Sequence, residues 1–248
     1  MTTAIIGGVE RHMSAWKPSP LKLRGVKPAF DVTSLPVSTR INAFPTDYDQ
    51  GQLGSCGPNS LAETYEFDLN GGKYSRLFAY FFTRATEGDF IDDTGVTIPD
   101  LLSCGHSMGL PLETAWAYDI GKFQVPPPVE VLASAVAHRV EQWDWIVDLE
   151  HLLFELANGQ PVMCGFQVPT SMQTEECART GLVNVPSASD PAIGGHCVNF
   201  IGYDREAELL RATCHYGTDF GDHGTILLPF AHVTSGNVND MAAIRGIS

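Results

Sequence analysis

The sequence predicts an α+β protein, helical in its first part and β in its second, with the functional groups falling between the two. Three observations predict it. Apolar residues recur at helical spacing in several segments up to Gly159. From Pro161 onward PVMCGFQV, HCVNFIGYD, ELLRATCHY and GTILLPF are short apolar runs bounded by glycine, proline or polar turns, the pattern of strands. Two segments rich in reactive side chains, DQGQLGSC ending at Cys56 and GGHCVNFIGYD around His196, lie one on each side of that change. With 248 residues and 44% hydrophobic content the chain can bury a sizeable core.

Residues 1–34 are rich in Lys, Arg, Pro and Gly and show little periodicity, which reads as an N-terminal extension. It is long enough to lie across a cleft, either as a passive arm or as a regulatory or partner-binding one. The first helix starts at Cys56: Leu61, Ala62, Tyr65 and Leu69 share a face, Pro58 suits the first turn, and Asn70-Gly71-Gly72 ends the run. A cysteine there meets unpaired backbone N–H groups and the positive end of the helix dipole, which favour the nucleophilic thiolate. SRLFAYFFTRATEG is apolar nearly all round, so Phe78, Tyr80, Phe81 and Phe82 read as core.

A helix over Ile98–Met108 carries Pro99 in its first turn, and helices over Val129–Arg139 and Val147–Ala157 follow the Pro126-Pro127-Pro128 breaker, with His138 and His151 on their surfaces. The polar stretch Thr170–Pro191 joins the first two strands and is long enough to overhang the cleft. No internal repeat is evident, and the two Gly-Gly pairs lack the strand–glycine-loop–helix context of a nucleotide site.

A nucleophilic cysteine needs a base, and His196 stands 140 residues downstream of Cys56, after two glycines at the start of an apolar run. DQGQLGSC followed by GGHCVNFIGYD resembles the papain-like cysteine peptidase family, most nearly its bacterial and viral members, in which the residue after the cysteine is often not aromatic. The resemblance implies a two-lobed fold, a helical left lobe (about 50–160) and a β half-barrel right lobe (about 161–248), with the active-site cleft between. It sets the peptidase domain at 35–248, because Leu35-Pro36 stands where the family's mature enzyme begins. It makes Cys56 the nucleophile, His196 its base and Gln50 the side-chain donor of the oxyanion hole. Gly95 matches a glycine whose backbone binds extended substrate, though a plain helix-entry loop fits the residues equally well; Gly195 and Tyr216 join the substrate-binding set. Glu113 and Tyr118 resemble the family's Gly-x-x-x-Glu-x-x-x-Tyr stretch.

At one position the chain departs from the pattern. Cys214-His215-Tyr216-Gly217 stands where the family has Asn-Ser-Trp-Gly, so Cys214 occupies the place of the orienting asparagine. A thiol is a weak acceptor, so His196 is expected to lack its usual partner and activity to be weakened. The reading is therefore a cysteine endopeptidase-like hydrolase acting on a peptide or protein without metal or organic cofactor. A catalytically weak or inactive papain-like fold, serving as a structural or binding component of a virus particle for example, is the second. A zinc site built from Cys56, His196 and Cys214, with His215 turned inward, is a third.

Composition bounds the rest. The net charge is −14 and no Lys/Arg cluster is long enough to track a phosphate backbone, so nucleic acid is not an expected partner. No signal-like start and no long apolar run is present, so the expectation is no membrane and a cytoplasmic or virion-associated protein, with an assembly partner conceivable through the extension. The resemblance also implies a family half-cystine at Leu53, which is absent, so six free thiols are expected, Cys104, Cys164 and Cys197 buried and Cys177 exposed.

Overall fold

The computed structural model describes residues 3–12, 16–19 and 25–248. The helical part centres on α1 (Cys56–Leu69), packed against α2 (Arg76–Thr86) and α3 (Ile98–Ser107). Each boundary has a local cause. Asn70 takes the left-handed conformation that closes α1; Ser75 and Thr97 cap α2 and α3 by accepting from Phe78 N and Asp100 N. Leu61, Tyr65, Leu77, Tyr80, Leu101 and Leu110 fill the interior of this lobe.

Before α1 come the short strands β1 (Thr3–Ile6), β2 (Val9–His12), β3 (Trp16–Lys17) and β4 (Ser38–Arg40); after it come β5 (Val96–Thr97), α4 (Val129–Ala135), β6 (Trp143–Trp145) and α5 (Leu149–Ala157). The second half supplies β7 (Val162–Pro169), α6 (Glu175–Thr180), β8 (Ala192–Asp204), β9 (Leu209–Thr213), β10 (Thr225–Pro229), α7 (Ala231–Thr234) and β11 (Val238–Ile244). The main sheet runs β10-β9-β8-β7-β11-β6, with β4 added beside the far end of β8. There Gly202 is required, since a Cβ would come within 2.4 Å of the Thr39 carbonyl oxygen.

Both faces of this sheet are covered, which explains why β7 and β8 read as continuous apolar runs. One face carries Phe166, Val198 and Phe200 into the β-lobe core; the other turns Met163 and Cys197 toward α1.

Two helices are shorter than their periodicity suggests. Asp148 caps α5 by accepting from His151 N, so the helix starts at Leu149 rather than Val147. The run expected to reach Arg139 ends at Ala135, because the chain turns to pack its carbonyls beside Gly109 and to bridge Val140 to Ile247. His151 is buried, 3.3 Å from Glu155, which also holds Arg245 in a two-pronged pair. Cys177 is buried too, because Thr170–Pro191 folds its Met172, Cys177 and Val183 into the β-lobe core. All six thiols are free. Among the described residues no helix is long and apolar enough to cross a membrane.

Candidate active site

The first residue of α1 is Cys56, and its sulfur meets β8: the Cys197 N–H points at Sγ from 3.3 Å. His196 precedes Cys197 and pairs with Phe166 across the sheet, so nucleophile and base candidates converge where the lobes join. Tyr216 stacks on the His196 ring at 4.9 Å, Phe166 meets it edge-on, and Phe220 buttresses Tyr216.

The His196 ring does have an acceptor, contrary to expectation. Nε2 lies 2.8 Å from the main-chain oxygen of Cys214. A carbonyl only accepts, so Nε2 carries the proton and Nδ1 of the neutral ring is the bare, basic nitrogen. The Cys214 thiol points away, donating to the Gly224 carbonyl at 3.3 Å. Residue 214 thus orients the imidazole through its backbone instead of its side chain.

Gln50 is 1% exposed. Its N–H donates to the His215 carbonyl, and its own carbonyl accepts from Tyr118 Oη. The side-chain Nε2 donates to the Leu53 carbonyl at 2.9 Å and has a second N–H to offer. Gly217 N–H donates to the Tyr48 carbonyl, so the turn before the nucleophile is laced to the turn after β9. Behind it Arg76 makes a two-pronged pair with Glu113, bonds the Asp49 carbonyl and Asn59, and lies 3.7 Å from the Tyr118 ring centre. Glu113 and Tyr118 therefore brace the turn that presents Gln50.

Asp93 belongs to the site and was not singled out from sequence. Its carboxylate takes the Gly54 N–H at 3.0 Å and the Tyr80 hydroxyl, fixing the loop two residues before Cys56. A buried carboxylate demands such donors, and the DDTG string was its trace in the sequence. Gly95 adopts φ +72 and its N–H is 3.2 Å from Tyr80 Oη, so that N–H is already engaged. Gly195 is half-buried on β8 next to His196.

The N-terminal segment crosses this site. Ile6 is buried in the β-lobe core; Arg11, 2% exposed, donates to Asp49 Oδ1 and the Gly51 carbonyl and lies 4.2 Å from the Tyr216 ring centre. His12 Nδ1 is 2.5 Å from Asp93 Oδ2, and β3 pairs in parallel with β5, immediately after Gly95. A cavity of about 280 Å³ beside it is lined by His12, Leu53, Ile91, Asp93, Ile120 and Phe123 among others.

Burial sets the electrostatics. Cys56 is wholly buried and His196 1% exposed. Burial pushes the Cys56 thiol up to about 12 against the pull of the surrounding N–H groups. It also pushes His196 down to about 3, the neighbouring His215 adding to the effect. Burial thus favours the neutral thiol and the neutral imidazole, working against the helix terminus that favours a thiolate. Among the described residues no group of three or more His, Cys, Asp or Glu is placed to hold a metal ion.

No family model matches the chain. An uncharacterized peptidase C1-like protein of Acanthamoeba polyphaga mimivirus is 30% identical over 208 residues, spanning 78% of this chain and 67% of that protein. This chain belongs to the papain-like cysteine peptidase family. Among solved structures of the family's fold, xylellain, a cysteine protease from Xylella fastidiosa, superposes with a TM-score of 0.87 at 24% identity, covering 96% of this chain and 98% of xylellain. Digestive procathepsin L 3 of Tenebrio molitor larval midgut gives 0.69 at 17% identity, over 94% and 76%. At these identities the structures speak to the fold of this papain-like chain.

Proposed function

We propose that the chain is a cysteine peptidase in which Cys56 attacks a peptide carbonyl and His196 Nδ1 takes the thiol proton and returns it to the leaving amine. The observation that carries this reading is the Cys56–β8 contact together with the His196 Nε2 bond to the Cys214 carbonyl, which leaves Nδ1 as the base. The Cys56 N–H and the second N–H of Gln50 Nε2 serve the tetrahedral oxyanion. Gly195 and Tyr216 border the path of the substrate, and Gly95 contributes its carbonyl.

The N-terminal extension acts as a cover. It holds the pair neutral while in place, and its release readmits water and restores the thiolate–imidazolium state. The non-catalytic, virus-component reading rests on Cys214 and on the missing aromatic after Cys56; a main-chain acceptor for His196 weakens the first of these.

Hydrolysis of an unfolded protein substrate, followed for wild type, Cys56→Ala, His196→Ala and Gln50→Ala, tests the assignment. The first two substitutions are expected to abolish cleavage and the third to lower turnover on the order of 10²-fold. Unchanged cleavage by Cys56→Ala would assign the nucleophile elsewhere.

A further inference from the structure

Seven residues after Cys56, and so on the same face of α1, Glu63 is fully buried. Its Oε2 collects three donors: Asn199 Nδ2 of β8 at 2.9 Å, Thr213 Oγ1 of β9 at 2.9 Å and His215 Nε2 at 3.0 Å. Asn199 also donates to the Ser60 carbonyl at 2.8 Å. His215, 1% exposed, has φ +56, a left-handed conformation that is uncommon for residues other than glycine.

Rotation about that φ swings the peptide between residues 214 and 215, and with it the Cys214 carbonyl that His196 uses. Both other attachments of His215 are fixed: its ring to Glu63 and its carbonyl to the Gln50 N–H at 2.9 Å. We propose that Glu63 and His215 are a positioning pair, which holds the Cys214 carbonyl against His196 and ties that alignment to the helix bearing Cys56. The pair does through the backbone what an asparagine side chain does elsewhere in the family. Neither residue bonds to Cys56 or to the Nδ1 of His196, although the His215 ring lies edge-on to the His196 ring, 5.8 Å between centres. The proposal rests on Cys56 and His196 as nucleophile and base, yet the geometry it describes is measurable without turnover.

The test is the ring tautomer of His196, read by ¹⁵N–¹H correlation on the full chain labelled at histidine, with His196→Gln identifying the signal. Wild type is expected to show one tautomer, protonated at Nε2. His215→Asn keeps a residue tolerant of positive φ but with an amide that ends short of Glu63; Glu63→Met keeps volume and removes the acceptor. Both are expected to average the two tautomers and to lower kcat about tenfold at unchanged KM, whereas Glu63→Gln, whose amide oxygen still accepts, keeps the single tautomer. Either folded variant suffices if the other fails to fold. A single Nε2–H tautomer retained in His215→Asn and Glu63→Met, with only a lower Tm, overturns the proposal. Averaging in those variants when wild type cleaves nothing supports the positioning pair and removes the peptidase reading instead.

Discussion

Two connections join the lobes on opposite sides of Cys56, and they are built differently. Beneath the sulfur, the seam between α1 and the β8–β9 strands consists of Glu63, Asn199, Thr213 and His215, all buried, sharing one carboxylate oxygen. Above it, beyond the buried Ala4 and Ile6, the arm crosses on contacts that each have one partly exposed partner: Arg11 with Asp49, whose side chain is half exposed, His12 beside Asp93, and Lys17 with Glu87. A buried carboxylate with three donors cannot part without stranding all of them in a dry interior. Exposed pairs trade readily with water and salt. The seam is therefore the tighter connection, and the release proposed for the arm is the easier break, against the burial of Ile6 and Arg11.

The largest effect is expected from breaking the seam. Glu63→Ala strands three buried donors and opens a cavity, so unfolding in urea is expected to show a loss of about 3–5 kcal/mol. A loss below about 1 kcal/mol would mean that water already serves these groups, and the contrast with the arm would collapse.

Arg11→Ala sharpens the other side. It removes the two charge-assisted hydrogen bonds that Arg11 makes to the turn before Cys56 and its contact with Tyr216, together about 2 kcal/mol in favour of the docked arm, which corresponds to roughly 30-fold in its opening equilibrium. Because Cys56 is wholly buried, labelling by a small alkylating reagent reports that opening, and a rise of at least about tenfold is expected. An unchanged rate would mean that something other than the arm covers the sulfur.

These two regions were unequally legible in the sequence. Leu61, Tyr65 and Leu69 repeat at helical spacing and Asn70-Gly71-Gly72 stops them, so α1 and the place of Cys56 could be read directly. The strand runs around His196 were legible because both faces are covered. β11 was not, since Asn239 and Asp240 interrupt its apolar pattern and its register shifts against β7. His151 looked like a surface residue because what buries it is a pairing with Glu155, a carboxylate that is itself held by Arg245 from the far end of the chain. The acceptor for His196 was invisible for a deeper reason: every residue has a carbonyl, so a main-chain oxygen in a side chain's place leaves no letter behind.

Acid provides a milder probe. Burial holds His196 at about 3 and also lowers His232, whereas both titrate near 6.5 when unfolded. Between those values the unfolded chain binds more protons, so their contribution is full above about pH 6.5 and is lost as pH falls toward 3. Urea midpoints across that range are expected to decline in wild type and less steeply in Arg11→Ala, where water reaches His196 in the opened cleft. Equal slopes would place the burial of His196 in the seam and not in the arm.

The smallest effect is expected at Cys214, the residue whose identity departs most visibly from the family pattern. Its thiol makes one weak bond to the Gly224 carbonyl, and its carbonyl, common to every amino acid, serves His196. Cys214→Ser keeps the volume nearly constant and donates to the same Gly224 oxygen, so kcat is expected to fall by no more than about threefold. Cys214→Asn introduces a larger amide into a site that is fully buried and already satisfied, so it is expected to lower stability by about 1–3 kcal/mol without raising the rate. A rate increase in Cys214→Asn would show that a side-chain acceptor outperforms the carbonyl. It would also demote the turn held by Glu63 and His215 from positioning the base to merely closing the seam.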